Sequence, residues 1–252
     1  MPNDRYIIDR MNPFLKILVL ILVTLIGSIE FYPYLPAIFI VLGFITASTF
    51  SSISFFELLN TIKVFIIMSL GFMVFILFSR YISKEPLMFI SVLGLGLKII
   101  LISLYTAVFV KTTDPTEFVI ALIKYFKIPS TYAYAFLAAY RFLPTFKEDY
   151  EIIRHAYQVR GVAESKNIFV KIFETKRYII PMMATAVRKG IRISMAMETR
   201  AFGKYKTRTY YRQLTLSKGE VITSTMYIAL LIMITITFYN LGLTNMGLKF
   251  LG

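Results

Sequence analysis

The sequence of 252 residues contains no cysteine and only one histidine. The absence of cysteine excludes a disulfide framework, a thiol nucleophile and a cysteine-ligated metal site. The single histidine, His155, stands in a charged helical pattern with no second histidine nearby. This setting is typical of a solvated surface position, so the sequence predicts no metal site.

Acidic residues are also scarce, since 14 Asp and Glu stand against 28 Lys and Arg. None lies inside an apolar run, although ion-coupled carriers usually hold their coupling ion on such carboxylates. The phosphate-binding pattern GxxxxGK[ST] is missing as well. Three acids, Glu148, Asp149 and Glu151, alternate with Lys147 and Arg154, which indicates ion pairs along a helix rather than paired catalytic acids. The sequence therefore predicts no catalytic site and no cofactor bound by this chain.

Apolar residues, in contrast, make up 57% of the chain, and its mean hydropathy is +0.68. They are concentrated near residues 14–29, 35–50, 64–78, 94–110 and 221–239, in runs long enough to cross a bilayer. The fold class predicted is an all-α integral membrane protein with about five transmembrane helices plus cytoplasmic amphipathic helices.

Three local features of these runs carry their own expectations. Residues 51–63 are polar on one side, which predicts a short surface connector between the second and third spans. Lys16, near the start of the first run, is expected to reach the membrane interface. Lys98 lies either in the middle of a helix that starts at Pro86 or about one turn inside a span that starts near Gly94. We favour the second position, from which the ammonium group reaches the interface.

Positive charge is concentrated between Lys111 and Lys218, which hold twenty of the 28 basic residues between and including them. By the positive-inside rule this region and the amino terminus are cytoplasmic, and the charge suits anionic lipid rather than nucleic acid. Three segments follow: residues 1–110 with about four spans, a cytoplasmic region at 111–219, and a last span with its tail at 220–252.

Two similar helix endings stand out in the basic region. A helical pattern carries Arg160 into its last turn and stops at Gly161, and a second carries Arg200 and stops at Ala201 to Gly203. Arginine there complements the negative end of the helix dipole, and glycine closes a helix in the left-handed conformation. One such ending is an ordinary cap, but two in one basic block predict a paired docking device.

The same region shows broad apolar helix faces. One face comprises Phe118, Leu122, Tyr125 and Phe126; the next comprises Phe136, Tyr140, Leu143, Tyr150, Ile153 and Tyr157; the last comprises Met183, Val187, Ile191 and Met195. Faces of this kind can pack on each other, lie on the bilayer surface or receive a partner.

Four segments of the sequence resemble, in order, the motifs of one family. They are DRMNPFLKIL, TTDPTEFVIAL, AYRFLPTFKEDYEIIRHAYQVRG and AVRKGIRISMAMETRAFG. They are similar to those of the transmembrane T component of energy-coupling factor (ECF) importers, the EcfT/CbiQ family. The triplets that end at Gly161 and Ala201 stand where that family has Ala-Arg-Gly, so both arginines are kept while the second glycine is displaced to Gly203.

The resemblance implies a non-catalytic subunit of an ATP-driven importer of vitamins or transition-metal ions in a prokaryotic cell membrane. Two ABC-type ATPase subunits, which bind the ATP, would dock on Arg160 and Arg200 with the neighbouring Gly161, Ala201 and Gly203. Met183, Val187, Ile191 and Met195 would contact a membrane-embedded substrate-binding (S) subunit. The alternative is a membrane scaffold or assembly factor whose basic region binds anionic lipid or another partner.

Overall fold

The computed structural model describes residues 6–30, 32–84, 86, 88–161, 168–202, 204, 214 and 216–242. Every regular element in these ranges is an α-helix. The elements are α1 (Ile7–Arg10), α2 (Pro13–Ile29), α3 (Tyr34–Phe50), α4 (Phe55–Ile82), α5 (Phe89–Thr112), α6 (Pro115–Tyr125), α7 (Ser130–Val159), α8 (Ile168–Thr199) and α9 (Lys218–Asn240). By length and composition, α4, α5 and α9 can each cross a membrane, and α2 and α3 are shorter apolar helices of 17 residues. The chain is thus an all-α membrane protein, as predicted.

The first of two compact units contains Met1–Ala121 and Leu214–Gly252. Helix α5 lies at its centre and packs on α2, α3 and α4, while α9 packs on α2 and α3. Small residues allow these helices to approach closely. A Cβ at Gly43 would lie 2.9 Å from the Tyr105 ring, and one at Gly27 would lie 2.7 Å from Leu101 Cδ2. One buried cluster of the core consists of Val23, Leu35, Phe39, Leu101, Tyr105 and Leu231.

Helix α4 runs without interruption from Phe55 to Ile82, so the predicted surface connector at residues 51–63 is wrong. The physical reason is that Leu58 and Ile62 are fully buried against neighbouring helices, which anchors the first two turns of α4 in the core. The polar residue Glu57 faces outward and pairs with Lys111 of α5 at 2.5 Å.

Helix α5 begins at Phe89 rather than near Gly94, so the favoured start of this helix is wrong. The ammonium group of Lys98 donates a 2.9 Å hydrogen bond to the carbonyl oxygen of Ser28, in the last turn of α2. Carbonyl groups at that end of a helix have no partner within the helix and carry partial negative charge. Lys98 therefore lies level with the end of α2 and caps it.

Helix α6 begins as the sequence indicates, because the Asp114 carboxylate accepts a 2.6 Å hydrogen bond from the Thr116 amide and Pro115 is the first helical residue. Its buried side differs from the predicted face. Val119, Ile120 and Ala121 are buried, whereas Phe126 is 45% exposed. Of the predicted face, Phe118 packs edge-on against Phe109 of α5.

The second unit, Leu122–Gln213, contains α7 and α8. Three side-chain pairs show that the two helices run antiparallel: Tyr134 with Phe202, Asp149 with Lys189, and Tyr157 with Tyr178. Tyr178 is buried and touches both Tyr150 and Tyr157 edge-on, with ring centroids 5.6 Å apart in each case. These contacts hold α7 and α8 together as one hairpin.

Candidate functional site

Helix α7 ends directly before Arg160, which lies at the cap position. The next residue, Gly161, has a φ of +76°. Its amide donates a 3.0 Å hydrogen bond to the carbonyl of Gln158, and the Arg160 amide donates to that of Ala156. Glycine adopts a positive φ without steric cost, so the predicted left-handed ending at Gly161 is confirmed.

Helix α8 ends in the same way, with Arg200 directly after the last helical residue. Ala201 takes the left-handed position with a φ of +54°. The Ala201 amide donates to the carbonyl of Glu198 and the Phe202 amide donates to that of Met197, both at 2.9 Å. These two hydrogen bonds together form the Schellman motif. The helix is therefore closed by Ala201, before the expected Gly203, which lies outside the described residues.

Both guanidinium groups are available to a partner. Arg160 and Arg200 are exposed, and within the described part of the chain neither forms an ion pair. The guanidinium of Arg160 lies 6.0 Å from the centroid of the Tyr157 ring, within the range of a cation–π contact. Because Tyr157 packs against the buried Tyr178, this contact places the first arginine beside the rings that join α7 to α8.

Two contacts of α7, one with α8 and one with the segment after it, were not identified from the sequence pattern. Phe202 packs edge-on against Tyr134 at 5.9 Å, which attaches the segment after Arg200 to the first turns of α7. The Asp149 carboxylate pairs with Lys189 of α8 at 2.5 Å. The predicted pairing along α7 holds only for Glu151 with Arg154, at 3.8 Å. Because Asp149 and Lys189 are forty residues apart, no local sequence pattern predicts their pairing.

The apolar stripe of α8, defined as Met183, Val187, Ile191 and Met195, is exposed along its whole length. The exposed fractions are 62%, 60%, 50% and 59%. On α7, Phe136, Tyr140 and Leu143 are also exposed, although they belong to a predicted apolar face. Exposed apolar patches of this kind mark surfaces that contact a partner or a membrane.

A polar network at the start of the chain was also missed. Asp9 is buried, and its carboxylate accepts hydrogen bonds of 3.2 Å from the Ser51 hydroxyl and the Ser52 amide. Lys16 is buried too and donates to the carbonyl of Thr112 at 2.6 Å, so the expectation that it reaches the interface is wrong. The network joins α1 to the end of α3 and α2 to the end of α5.

The same network reaches α9. The side-chain oxygen of Asn12 caps α2 by accepting a 3.0 Å hydrogen bond from the Phe14 backbone amide. The backbone amide of Asn12 donates a 3.2 Å hydrogen bond to the Glu220 carboxylate. The pattern Asn12-Pro13 is a recognisable helix start, since asparagine is a favoured cap and proline a favoured first residue. Among the residues that the structure describes, no group of three His, Asp or Glu side chains is placed to hold a metal ion.

Comparison with known proteins identifies the family of the chain. Proteins named energy-coupling factor transporter transmembrane protein EcfT are similar to this chain. That of Lactococcus lactis is 27% identical over 92% of both chains, and that of Thermosediminibacter oceani is 26% identical over 85% of this chain and 87% of its own. The alignment with the Limosilactobacillus fermentum protein, 28% identical, spans 56% of this chain and about half of that protein, 55%.

The family model CbiQ, cobalt transport protein, matches residues 7–211, which include both arginine endings. The chain belongs to the CbiQ family of cobalt transport proteins.

Proposed function

We propose that this chain is the transmembrane component of an ECF-type importer. It links two ABC-type ATPase subunits to a membrane-embedded substrate-binding subunit. The observation that carries the proposal is the equivalence of the two helix endings at Arg160 and Arg200, each exposed and each followed by a left-handed residue. The names of the similar proteins and the family match support the same role.

The chemistry of the two endings suits docking on carboxylates. A guanidinium group makes two parallel hydrogen bonds to a carboxylate and keeps its charge at any physiological pH. A helix that ends at the arginine adds partial negative charge, which offsets part of the cost of bringing that arginine into a partner groove. Two equivalent endings match two ATPase subunits, one for each arginine.

Movement of the ATPases would reach the membrane through the α7–α8 hairpin. The pair Asp149–Lys189 and the rings around Tyr178 tie the helices together, so a displacement at one ending moves the whole hairpin. The exposed apolar stripe of α8 would then contact the substrate-binding subunit and tilt it. Packed helices transmit such motions as rigid bodies.

The transported solute would be recognised by the substrate-binding subunit rather than by this chain. The family description favours cobalt, and vitamins remain within the same proposal. The role of this chain is mechanical, and ATP is bound by the partner ATPases.

The proposal is tested by purifying the tagged chain from native membranes and identifying its partners by mass spectrometry. We expect two ABC-type ATPase subunits and a small membrane protein to copurify. The double variant Arg160→Ala, Arg200→Ala serves as the control and should lose the ATPases. A chain that carries no ATPase, or that carries only lipid and unrelated proteins, would instead be a membrane scaffold.

A further inference from the structure

A cavity of about 410 Å³ lies within the first unit, among α1, α2, α3, α5 and α9. Tyr105 and Tyr227 line its inner part, and Met11 and Thr112 line its outer part. Its lining extends along α5 from Leu104 to Thr112, which is about 12 Å at a rise of 1.5 Å per residue. One leaflet of a bilayer has a hydrocarbon depth of about 15 Å. The cavity is therefore about as long as one leaflet is deep.

The polar side chains of the lining already have partners inside the protein. The Tyr105 hydroxyl donates to the carbonyl of Phe39 at 3.2 Å and lies 2.6 Å from the hydroxyl of Tyr227. The other bonds are those of Lys16 to Thr112 O, Thr46 to Leu42 O, Thr112 to Val108 O, Thr223 to Gly219 O and Ser224 to Val221 O. Water or a polar solute needs several free polar partners. The cavity offers an apolar surface instead, which suits hydrocarbon.

Part of the cavity lining consists of exposed apolar residues of α3 and α9. Phe50, Met226 and Leu230 line the cavity and are 48%, 68% and 43% exposed. Exposed apolar side chains on helices of this kind face lipid, so the cavity is continuous with the lipid-facing surface. An acyl chain can enter from there without crossing water.

A positive charge stands on the helix that borders the outer end. Arg10 is exposed, and it follows Ile7 and Ile8, which line the cavity, on the short helix α1. In the part of the chain that the structure describes, Arg10 forms no ion pair. A phosphate group is a suitable partner for such a guanidinium. We propose that the cavity holds one acyl chain of a phospholipid from the leaflet next to α1, with its phosphate beside Arg10.

The absence of tryptophan from the chain allows a direct test with a single reporter. Phe50→Trp places the reporter in the lining, and Phe55→Trp is the control. Phe55 is 45% exposed, close to the 48% of Phe50, and does not line the cavity. The full chain in detergent is titrated with brominated phosphatidylglycerol, which quenches tryptophan fluorescence. We expect half-maximal quenching of Phe50→Trp at a roughly tenfold lower lipid fraction, equivalent to about 1.4 kcal/mol.

Two further variants separate the chain site from the phosphate contact. Thr223→Phe in the Phe50→Trp background should fill the outer cavity and abolish the excess quenching. Thr237→Phe is its control, because both threonines are exposed on α9 and each bonds a carbonyl four residues earlier. Arg10→Gln in the same background should raise the lipid fraction at half-maximal quenching, because the phosphate loses its charged partner.

Equal titration of the two reporters would overturn the proposal, as would unchanged quenching in Thr223→Phe. Unchanged binding in Arg10→Gln would overturn the phosphate contact. If lipid fails to quench Phe50→Trp but membrane partners shield it, a partner segment fills the cavity and the proposal is wrong. None of these results depends on ATPase docking, so the proposed transport role is tested separately.

Discussion

Ala201 takes, at the end of α8, the left-handed backbone position that Gly161 takes at the end of α7, with φ of +54° against +76°. The amide of each donates to the carbonyl three residues earlier, that of Glu198 in one case and Gln158 in the other. A side chain with a Cβ atom costs roughly 1–2 kcal/mol in this conformation. The second ending therefore keeps the geometry of the first at a cost in stability.

The first prediction concerns this cost. Ala201→Gly is expected to stabilise the folded chain by about 1 kcal/mol, and Gly161→Ala to destabilise it by a similar amount. Apart from its chain neighbours, no atom of the described residues lies within 4 Å of the Cβ that alanine would add at 161, so the expected cost is that of the backbone conformation. Thermal unfolding in detergent measures both. Ala196→Gly inside α8 is the control and should destabilise by ~1 kcal/mol. If Ala201→Gly destabilises the folded chain, as Ala196→Gly should, the left-handed ending assigned to Ala201 is wrong.

The second prediction concerns Arg160 and Arg200. Removing one side of a buried charge pair at an interface commonly costs about 2–5 kcal/mol, which is roughly 30-fold to several thousand-fold in affinity. Arg160→Ala and Arg200→Ala should each weaken ATPase binding by this amount and uncouple ATP hydrolysis from uptake. Arg188→Ala, an exposed arginine on α8, should cost less than about 1 kcal/mol. Equal effects of all three would mean that only general positive charge matters.

The third prediction concerns the apolar stripe of α8. Asp at Met183, Ile191 or Met195 would place a charge in an apolar contact, so the substrate-binding subunit should dissociate with at least about tenfold weaker affinity. The ATPases should stay attached. Ala196→Asp, at an exposed position on the opposite side of α8 from the stripe, is the control. Retention of the complete complex in all the stripe variants would show that this surface contacts lipid only.

The fourth prediction compares two carboxylates of the first unit. Asp9→Ala leaves the buried Ser51 hydroxyl and the partly buried Ser52 amide without their acceptor, which is expected to cost about 1–3 kcal/mol. Glu57→Ala breaks an ion pair whose carboxylate side chain is 54% exposed and should cost less than about 1 kcal/mol. Unfolding midpoints in one detergent give the comparison. Similar losses would mean that the Asp9 network does not stabilise the fold.

The fifth prediction concerns orientation. Because the chain has no cysteine, single cysteines report accessibility without background. Ser83→Cys, at the end of α4, should react with an impermeant thiol reagent on intact cells. Lys147→Cys, exposed on α7, should react only after the membrane is opened. Labelling of Lys147→Cys from outside would place the arginine endings on the wrong side for ATP-driven partners.

The membrane class could be predicted from the sequence because apolar runs of spanning length leave the backbone few options. In hydrocarbon every backbone amide needs a hydrogen-bond partner in the protein, and a continuous apolar run of spanning length supplies these partners within itself by forming a helix. The ending at Gly161 was equally accessible, because glycine after a basic helical pattern is a local signal. The membrane class and the ending at Gly161 could both be predicted because each depends on the residues of one short segment.

The errors have one physical cause, which is that contacts between distant segments override local patterns. Lys16 bonds to Thr112, 96 residues away, and so stays buried instead of reaching the interface. Leu58 and Ile62 pack in the core and extend α4 over a stretch whose polar residues suggest a connector. Such partners are determined by the fold rather than by the residues next to them.

The lengths of neighbouring helices have a consequence for the surrounding bilayer. With 28 residues, α4 is about 42 Å long, whereas α2 and α3, with 17 residues each, reach only about 26 Å. The hydrocarbon layer is about 30 Å thick, so α4 is longer than this layer, whereas α2 and α3 are shorter than it. Matching both requires a tilted or protruding α4 beside a locally thinned membrane, at fractions of a kcal/mol per ångström. The stability of the chain should therefore respond to lipid chain length.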